Sequence, residues 1–154
     1  MKSYAERKGR SSKKKNEFKR FTNGSTYSML RHDMINSKEV GQLSLAARWV
    51  LMRMIGLYNK INNGDLSAPL NKAKETFGLS KPGLKKALDE LSEADFLEVT
   101  RQELEQNGFI ETTRQGGKNQ CSLYALTCFP LNDVNKAGIS IKATERASDK
   151  WKRY

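Results

Sequence analysis

The longest apolar pattern of the chain lies between residues 44 and 61 and predicts a helix. Leu45, Trp49, Met52 and Ile55 recur at helical spacing, and three further side chains beside them give a wide apolar face: Leu51, Met54 and Tyr58. Ser44 stands where an N-cap is expected, because its hydroxyl can accept from a free N–H of the first turn. We therefore expect a central helix with Trp49 in the core.

Two shorter helices are predicted downstream, over residues 67–78 and 80–92. The first is capped by Ser67 and ends at Gly78, and the second is capped by Ser80. Between the first long helix and this pair, the run Asn62-Asn63-Gly64-Asp65 predicts a tight turn, followed by a short extended piece at Leu66. Two short helices joined by a glycine-containing turn are typical of a helix-turn-helix.

Beyond Ala94 the composition changes to β-branched and aromatic residues, which favour strands. The segment 95–102 is repeated at 108–115 with five of eight positions identical, so we predict a duplicated strand around a loop at 103–107. A competing interpretation makes Thr100 and Glu103 a capping box that opens a helix to Gln106. A further strand is predicted at 121–128, and Pro130 is expected to close the domain.

The positive charge of the chain lies at its two ends. The 154 residues carry 28 Lys plus Arg, 17 Asp plus Glu and a net charge of +11. Residues 1–20 hold nine basic and two acidic residues, which gives +7, and residues 136–154 hold six and two, which gives +4. The remaining 13 basic and 13 acidic residues of 21–135 cancel. The ends are either solubilising tails or arms that follow a polyanion, and the dense run around Lys13, Lys14 and Lys15 favours the second interpretation.

These observations predict a basic flexible N-terminal arm at 1–22, a domain at 23–131 and a basic C-terminal tail at 132–154. Trp151 in that tail could stack on a base, dock on a partner or remain a loose terminal aromatic. With two cysteines and one histidine, a disulfide framework or a zinc centre is not expected. No apolar run approaches the roughly 20 residues that span a bilayer, so we expect a cytoplasmic protein in a reducing environment.

Several short motifs in a fixed order resemble a known family. They are Leu43-Ser44-Leu45-Ala46-Ala47, Asn62-Asn63-Gly64-Asp65-Leu66-Ser67, Gly78-Leu79-Ser80, Asp89-Glu90-Leu91, Gly108-Phe109-Ile110 and Leu123-Tyr124-Ala125-Leu126-Thr127. This order over residues 28–131 resembles the winged helix-turn-helix DNA-binding proteins of bacterial plasmids, prophages and related mobile elements. The resemblance implies an α+β fold of three helices and a β-hairpin wing. The second Phe-containing segment departs from the family pattern and predicts an enlarged wing.

In such a fold the helix 80–92 would enter the major groove of double-stranded DNA with its N-terminal end first. The expected contacts to base edges and phosphates are Ser80, Lys81, Pro82, Lys85 and Lys86. Arg114 and Lys118 flank a Gly-Gly turn in the wing and would reach the backbone or the minor groove. An ordinary solvated helix face accounts nearly as well for any single one of these lysines, so the set as a whole carries the prediction.

The function that follows is sequence-specific binding of double-stranded DNA by a homodimer, as a transcriptional regulator of a plasmid or phage. One alternative is a protein that binds a replication origin or partition site, and another is a winged-helix adaptor for protein interaction. An enzyme is not expected, because the sequence shows no catalytic motif, phosphate loop or metal-ligand cluster. No cofactor and no small-molecule ligand are predicted.

Overall fold

A computed structural model of the chain describes residues 17, 19–101, 105–106, 109–110, 121–136 and 139–153. It combines helices with a small antiparallel sheet, an α+β architecture that is compatible with the predicted winged helix. Residues 17 and 19–21, within the predicted flexible arm at 1–22, are helical. The α-helices that follow are α1 (His32–Ile35), α2 (Lys38–Gln42), α3 (Leu45–Leu57) and α4 (Lys81–Glu93). The strands are β1 (Leu66–Ser67), β2 (Leu97–Arg101), β3 (Glu105–Gln106), β4 (Phe109–Ile110), β5 (Leu123–Leu126), β6 (Val134–Lys136) and β7 (Ile139–Ile141).

Serine caps begin the two long helices, as the sequence predicts. The Ser44 hydroxyl accepts from the backbone N–H of Ala47 at 3.2 Å, and the Ser80 hydroxyl accepts from Gly83 N–H at the same distance. Each bond satisfies one of the backbone donors that a helix start leaves free. Helix α3 is shorter than predicted and ends at Leu57 rather than Ile61.

The predicted helix over 67–78 is wrong in its first part. Ser67 is not a cap but the second residue of β1, where it pairs with Leu123. The helical part is a 3₁₀ turn at Leu70–Lys72 followed by a π-helical turn at Ala73–Phe77. Gly78 ends it with φ of 69°, a left-handed conformation that glycine adopts without steric cost, as expected.

The three-stranded sheet has the order β1-β5-β2, with both pairings antiparallel. Central strand β5 is buried along its whole length, so it reads as a continuous apolar run rather than an alternating one. The register of β2 on β5 shifts between Val99 and Arg101. The sheet thus closes one side of the core that α3 and α4 form on the other.

Helix α3 packs on the core with only part of the wide apolar face that the sequence predicts. Leu51, Met54 and Ile55 of that face are buried, together with Ala47 and Val50. Leu45, Trp49 and Met52, which were expected in the core, are 79%, 45% and 47% exposed. Both faces of this helix are apolar, so periodicity alone did not distinguish the face that packs on α4 from the one that does not.

Asn63 links the turn after α3 to the sheet and is completely buried. Its side-chain oxygen accepts from Leu126 N–H at 2.7 Å, and its amide group donates to the carbonyls of Leu126, Phe129 and Pro130 at 2.9–3.1 Å. Its backbone N–H also donates to the side chain of Asn132. This residue therefore satisfies polar groups of the chain that leaves β5.

Two small hairpins accompany the sheet. Strands β3 and β4 pair through Glu105 with Ile110 and Gln106 with Phe109, so a helix that runs to Gln106 is wrong and residues 105–106 are not loop. Strands β6 and β7 are antiparallel: Val134 pairs with Ile141, and Lys136 pairs with Ile139. Both strands pack on Leu123. The hairpin β6–β7 also covers Gly64, where an added Cβ would lie 3.2 Å from Ile141.

The predicted flexible tail at 132–154 is wrong for its described part. This segment contains the hairpin β6–β7. Farther along it, Trp151 is 2% exposed and stacks on Phe96, with ring centroids 5.7 Å apart. Trp151 is therefore a core residue and cannot stack on a base without leaving the core. The packed fold extends past the predicted boundary at Pro130.

Candidate nucleic-acid interface

Helix α4 presents its predicted contact residues to solvent. Lys81, Pro82, Lys85 and Lys86 are all exposed. The opposite face is buried through Leu84, Ala87, Leu88 and Leu91, which are 0–3% exposed. Because the two faces are this distinct, the helix cannot rotate to withdraw its lysines from solvent without exposing its apolar face.

Ser80 is held at the start of α4 by its capping bond, and it is exposed. Gly83 leaves room for the cap, since an added Cβ would lie 3.0 Å from the Ser80 hydroxyl oxygen. The N-terminus of a helix carries a partial positive charge from its unpaired N–H groups. The lysines and this helix end therefore attract anions to the same place.

The positive charge is confined to the N-terminal half of α4. Asp89, Glu90 and Glu93 follow the three lysines, and Lys85 forms an ion pair with Asp89 at 3.1 Å. Pro82, Lys85, Lys86 and the three acidic residues line one shallow cleft along the helix. A polyanion can therefore approach favourably only the first half of the helix, which is the half that the sequence predicts as the contact region.

Glu90 belongs to this acidic group, and it also fixes the position of the helix. Its carboxylate accepts from the backbone N–H of Ser44 at 2.6 Å and from the Ser44 hydroxyl at 2.7 Å. These bonds join the start of α3 to α4. They set the direction in which α4 projects its N-terminal end.

A cation beside the turn between the 70–77 segment and α4 was not predicted as a site residue. Arg53 of α3 donates to the carbonyl of Thr76 at 2.9 Å, and its guanidinium lies 5.8 Å from the ring centroid of Trp49. Trp49 in turn donates from Nε1 to the Phe77 carbonyl at 2.8 Å. The exposed side of Arg53 thus lies next to the helix-turn-helix segment. Its distance in sequence from that segment gave no signal for this placement.

Most described cations of the C-terminal segment are engaged within the fold. Lys136 pairs with Asp65, Lys150 with Glu98 at 2.9 Å, and Arg153 donates to the Glu93 carbonyl at 2.8 Å. Lys152 lies 3.0 Å from Asp33 and 3.5 Å from Asp149. The three lysines compensate acidic groups of the domain and Arg153 binds a backbone carbonyl, so these residues do not form the free arm that the sequence predicts.

Arg31 is at the centre of this C-terminal contact. It pairs with Asp149 at 2.6 Å and with Asp33 at 2.6 Å, and donates to the Cys128 carbonyl at 3.1 Å. Hydrogen bonds from Arg31 hold the pKa of both carboxyls below the usual range. The same bonds raise the pKa of Arg31, and the bond to Asp33 raises that of Lys152. The cluster holds the segments around residues 31, 128 and 149 together.

The remaining predicted contacts, Lys13, Lys14, Lys15, Arg114 and Lys118, lie outside the described residues. Cys121 and Cys128 are free thiols, and burial raises the pKa of Cys128 to about 12, which suppresses the reactive thiolate. In the part of the chain that the structure describes, no three His, Cys, Asp or Glu side chains are grouped to hold a metal ion. The described helices are also too short or too polar to cross a bilayer.

Comparisons with protein-family models, with curated proteins and with solved structures find no match to this chain.

Proposed function

We propose that this protein binds double-stranded DNA and inserts the N-terminal half of α4 into the major groove. The observation that supports this most directly is the division of α4 into a buried apolar face and an exposed basic half that begins at a capped helix N-terminus. An α-helix fits the width of the major groove, and lysine recognises guanine O6 and N7 there. The preceding 70–77 segment would cross the backbone, as in a winged helix.

The roles within the interface follow from position. Lys81 and Lys85 lie one helical turn apart and would read base edges, while Lys86 would meet a phosphate. Arg53 is added to the predicted set as a second phosphate contact, because its bond to Thr76 keeps it beside the turn. The N-terminal arm would add affinity without sequence preference through counterion release.

The acidic half of α4 restricts the docking geometry. Asp89 and Glu93 would lie close to phosphates if the helix lay flat in the groove, and like charges repel. We therefore propose that α4 enters at a steep angle with Ser80 deepest. This geometry leaves Glu90 free to keep its bonds to Ser44.

The decisive experiment selects bound sites from a random DNA pool with the full chain, then measures binding of the selected and a scrambled duplex by fluorescence anisotropy. Lys81→Ala is expected to weaken binding to the selected site by about 5- to 150-fold, which corresponds to the 1–3 kcal/mol of a base contact, and binding to the scrambled duplex much less. Lys38→Ala is the matched control, because Lys38 is exposed on α2, which borders the acidic half of α4.

Removal of residues 1–20 should weaken binding to both duplexes alike and reduce the dependence on salt. If about five basic groups meet phosphates, the logarithm of the binding constant falls by roughly 4 to 5 for each tenfold rise in salt. Equal losses on both duplexes for Lys81→Ala would refute the assignment of α4 as the recognition helix.

The resemblance to proteins of mobile elements leads us to propose a role in transcriptional regulation of a plasmid or phage. The same selection separates this role from binding at a replication origin or partition site. A single palindromic site supports a dimeric regulator, whereas tandem repeats support the origin or partition role. Absence of any salt-sensitive DNA binding at low ionic strength would support the adaptor role instead.

A further inference from the structure

We propose that the exposed face of α3 binds the same face of a second copy of this chain, with the two helices antiparallel. The face consists of Leu45, Trp49, Met52 and Gly56, which we call the α3 stripe. All four residues are exposed, although three of them are large and apolar. This inference does not rest on DNA binding.

The spacing of the α3 stripe is symmetric along the helix. Successive members are separated by four, three and four residues, so each step returns to the same helix face. When two such helices run antiparallel, Leu45 of each copy lies opposite Gly56 of the other, and Trp49 lies opposite Met52. A two-fold axis generates both sets of contacts from one surface, as a homodimer requires.

The shapes of the paired residues also fit. Nothing lies within 4 Å of a Cβ built on Gly56, so the space beside it is open for a large side chain. Leu45 is 79% exposed, more than Trp49 or Met52. The open space beside Gly56 at one end of the stripe can therefore receive the Leu45 side chain from the other end of the partner copy's stripe.

Trp49 is suited to an interface rather than to solvent. The bond from its Nε1 to the Phe77 carbonyl satisfies its polar edge, so the part that remains exposed is apolar ring. The bond and the nearby Arg53 guanidinium fix the indole before any partner arrives. Tryptophan is enriched among the residues that dominate interfaces, and a pre-ordered side chain loses less entropy on binding.

The area available predicts a weak dimer. The stripe is about 17 Å long on a helix about 10–12 Å wide. It can bury a few hundred Å² per copy, which is roughly half or less of the ~800 Å² that each partner of a standard stable complex buries. Antiparallel helices place opposite ends of their dipoles together, which favours the pair slightly. We therefore expect dissociation constants of micromolar or weaker, with monomer dominant at low concentration.

The register is tested by cross-linking two variants of the full chain in a Cys121→Ser background, in which the remaining native thiol, Cys128, is buried. One copy carries Leu45→Cys and the other Gly56→Cys. In the proposed dimer these two positions face each other, whereas the two copies of position 45 are about 16 Å apart along the axis. A disulfide needs Cα atoms about 4.4–6.8 Å apart, so the mixed disulfide should exceed either homodisulfide at least tenfold. Dominant homodisulfides would overturn the antiparallel geometry.

The surface is tested by sedimentation equilibrium of the full chain without DNA. Leu45→Glu and Met52→Glu should each raise the dimer dissociation constant at least tenfold. The control Val99→Glu, which changes an exposed apolar residue of β2, should leave it unchanged. Circular dichroism confirms that each variant folds. A wild-type chain that stays monomeric up to 1 mM, or one whose association is unaffected by both stripe variants, would overturn the proposal.

The same variants separate this inference from the proposed function. If Leu45→Glu abolishes self-association but a single half-site still binds, the dimer surface and the DNA surface are independent, as proposed. A chain that dimerises but does not bind DNA would count against the proposed function and not against the proposed dimer.

Discussion

The Glu90 carboxylate accepts two hydrogen bonds from Ser44, one from its backbone N–H and one from its hydroxyl, across 46 residues of chain. One residue of α4 therefore completes the capping of α3, since Ser44 uses its own oxygen to accept from Ala47. These bonds link the two long helices, α3 and α4. They orient α4, the proposed recognition helix, and also stabilise the first turn of α3.

Glu90→Ala is expected to lower the free energy of unfolding by about 2 kcal/mol. It removes two bonds to a charged acceptor, and each is worth less than the usual value of about 1.5–3 kcal/mol because both lie exposed to water, which replaces them in part. Urea denaturation measures the change. Ser44→Ala should cost less in a Glu90→Ala background than in the wild type, since the two residues act together. Glu93→Gln, an exposed acidic residue of the same helix, is the control, and a loss as large as that of Glu90→Ala would contradict this interpretation.

Asn63→Ala is expected to be among the most destabilising polar substitutions in the chain, at about 3 kcal/mol or more. It removes the partner of the buried Leu126 N–H and of three carbonyls. Asn63→Asp should also be destabilising, because a carboxylate cannot donate to those carbonyls. Asn71→Ala at an exposed position should stay within about 0.5 kcal/mol of wild type. A mild effect for Asn63→Ala would mean that water replaces the lost bonds.

Trp151→Ala should lower the free energy of unfolding by about 3–5 kcal/mol, as expected for a large buried aromatic. Trp49→Ala should cost only about 1–2 kcal/mol, because nearly half of that side chain is exposed in the monomer. Comparing the two variants by urea denaturation at low protein concentration tests which tryptophan belongs to the core. The reverse order would contradict the placement of the C-terminal segment.

Stability should fall at acid pH through Asp149. Its pKa is lowered in the folded protein by the hydrogen bond from Arg31, while an unfolded Asp titrates near about 3.9. The stabilisation is therefore complete above about pH 4 and is lost progressively as the pH falls through the folded pKa. Asp149→Asn should lower the melting temperature at pH 7 and flatten its decline below about pH 4.

Asp89→Asn is the matched control for this pH dependence, since Asp89 forms a single exposed ion pair with Lys85. Its melting temperature should change little at any pH. If Asp149→Asn and wild type decline in parallel below about pH 4, the cluster around Arg31 does not control the acid limb.

The helix starts, the left-handed Gly78 and the strand at Leu97 could be predicted because their signals are local. A serine hydroxyl can cap only the first turn that follows it, and a left-handed position after a helix strongly favours glycine. The exposed position of the α4 lysines was predictable for the same reason, since Leu84, Ala87, Leu88 and Leu91 mark the buried face and the lysines fall opposite.

The tertiary structure alone decided which apolar face of α3 is buried and where Trp151 lies. Trp49 and Trp151 exchange the environments that their local sequences predict, because burial depends on which distant segment packs against a side chain. The +11 charge illustrates the same limit. The sequence alone shows that this charge lies at the chain ends. Only the tertiary structure shows that Lys150 and Lys152 form ion pairs with acidic residues about 50 or more positions away in the chain. Local pattern determines the elements, and contacts across the chain determine which of their faces remain available.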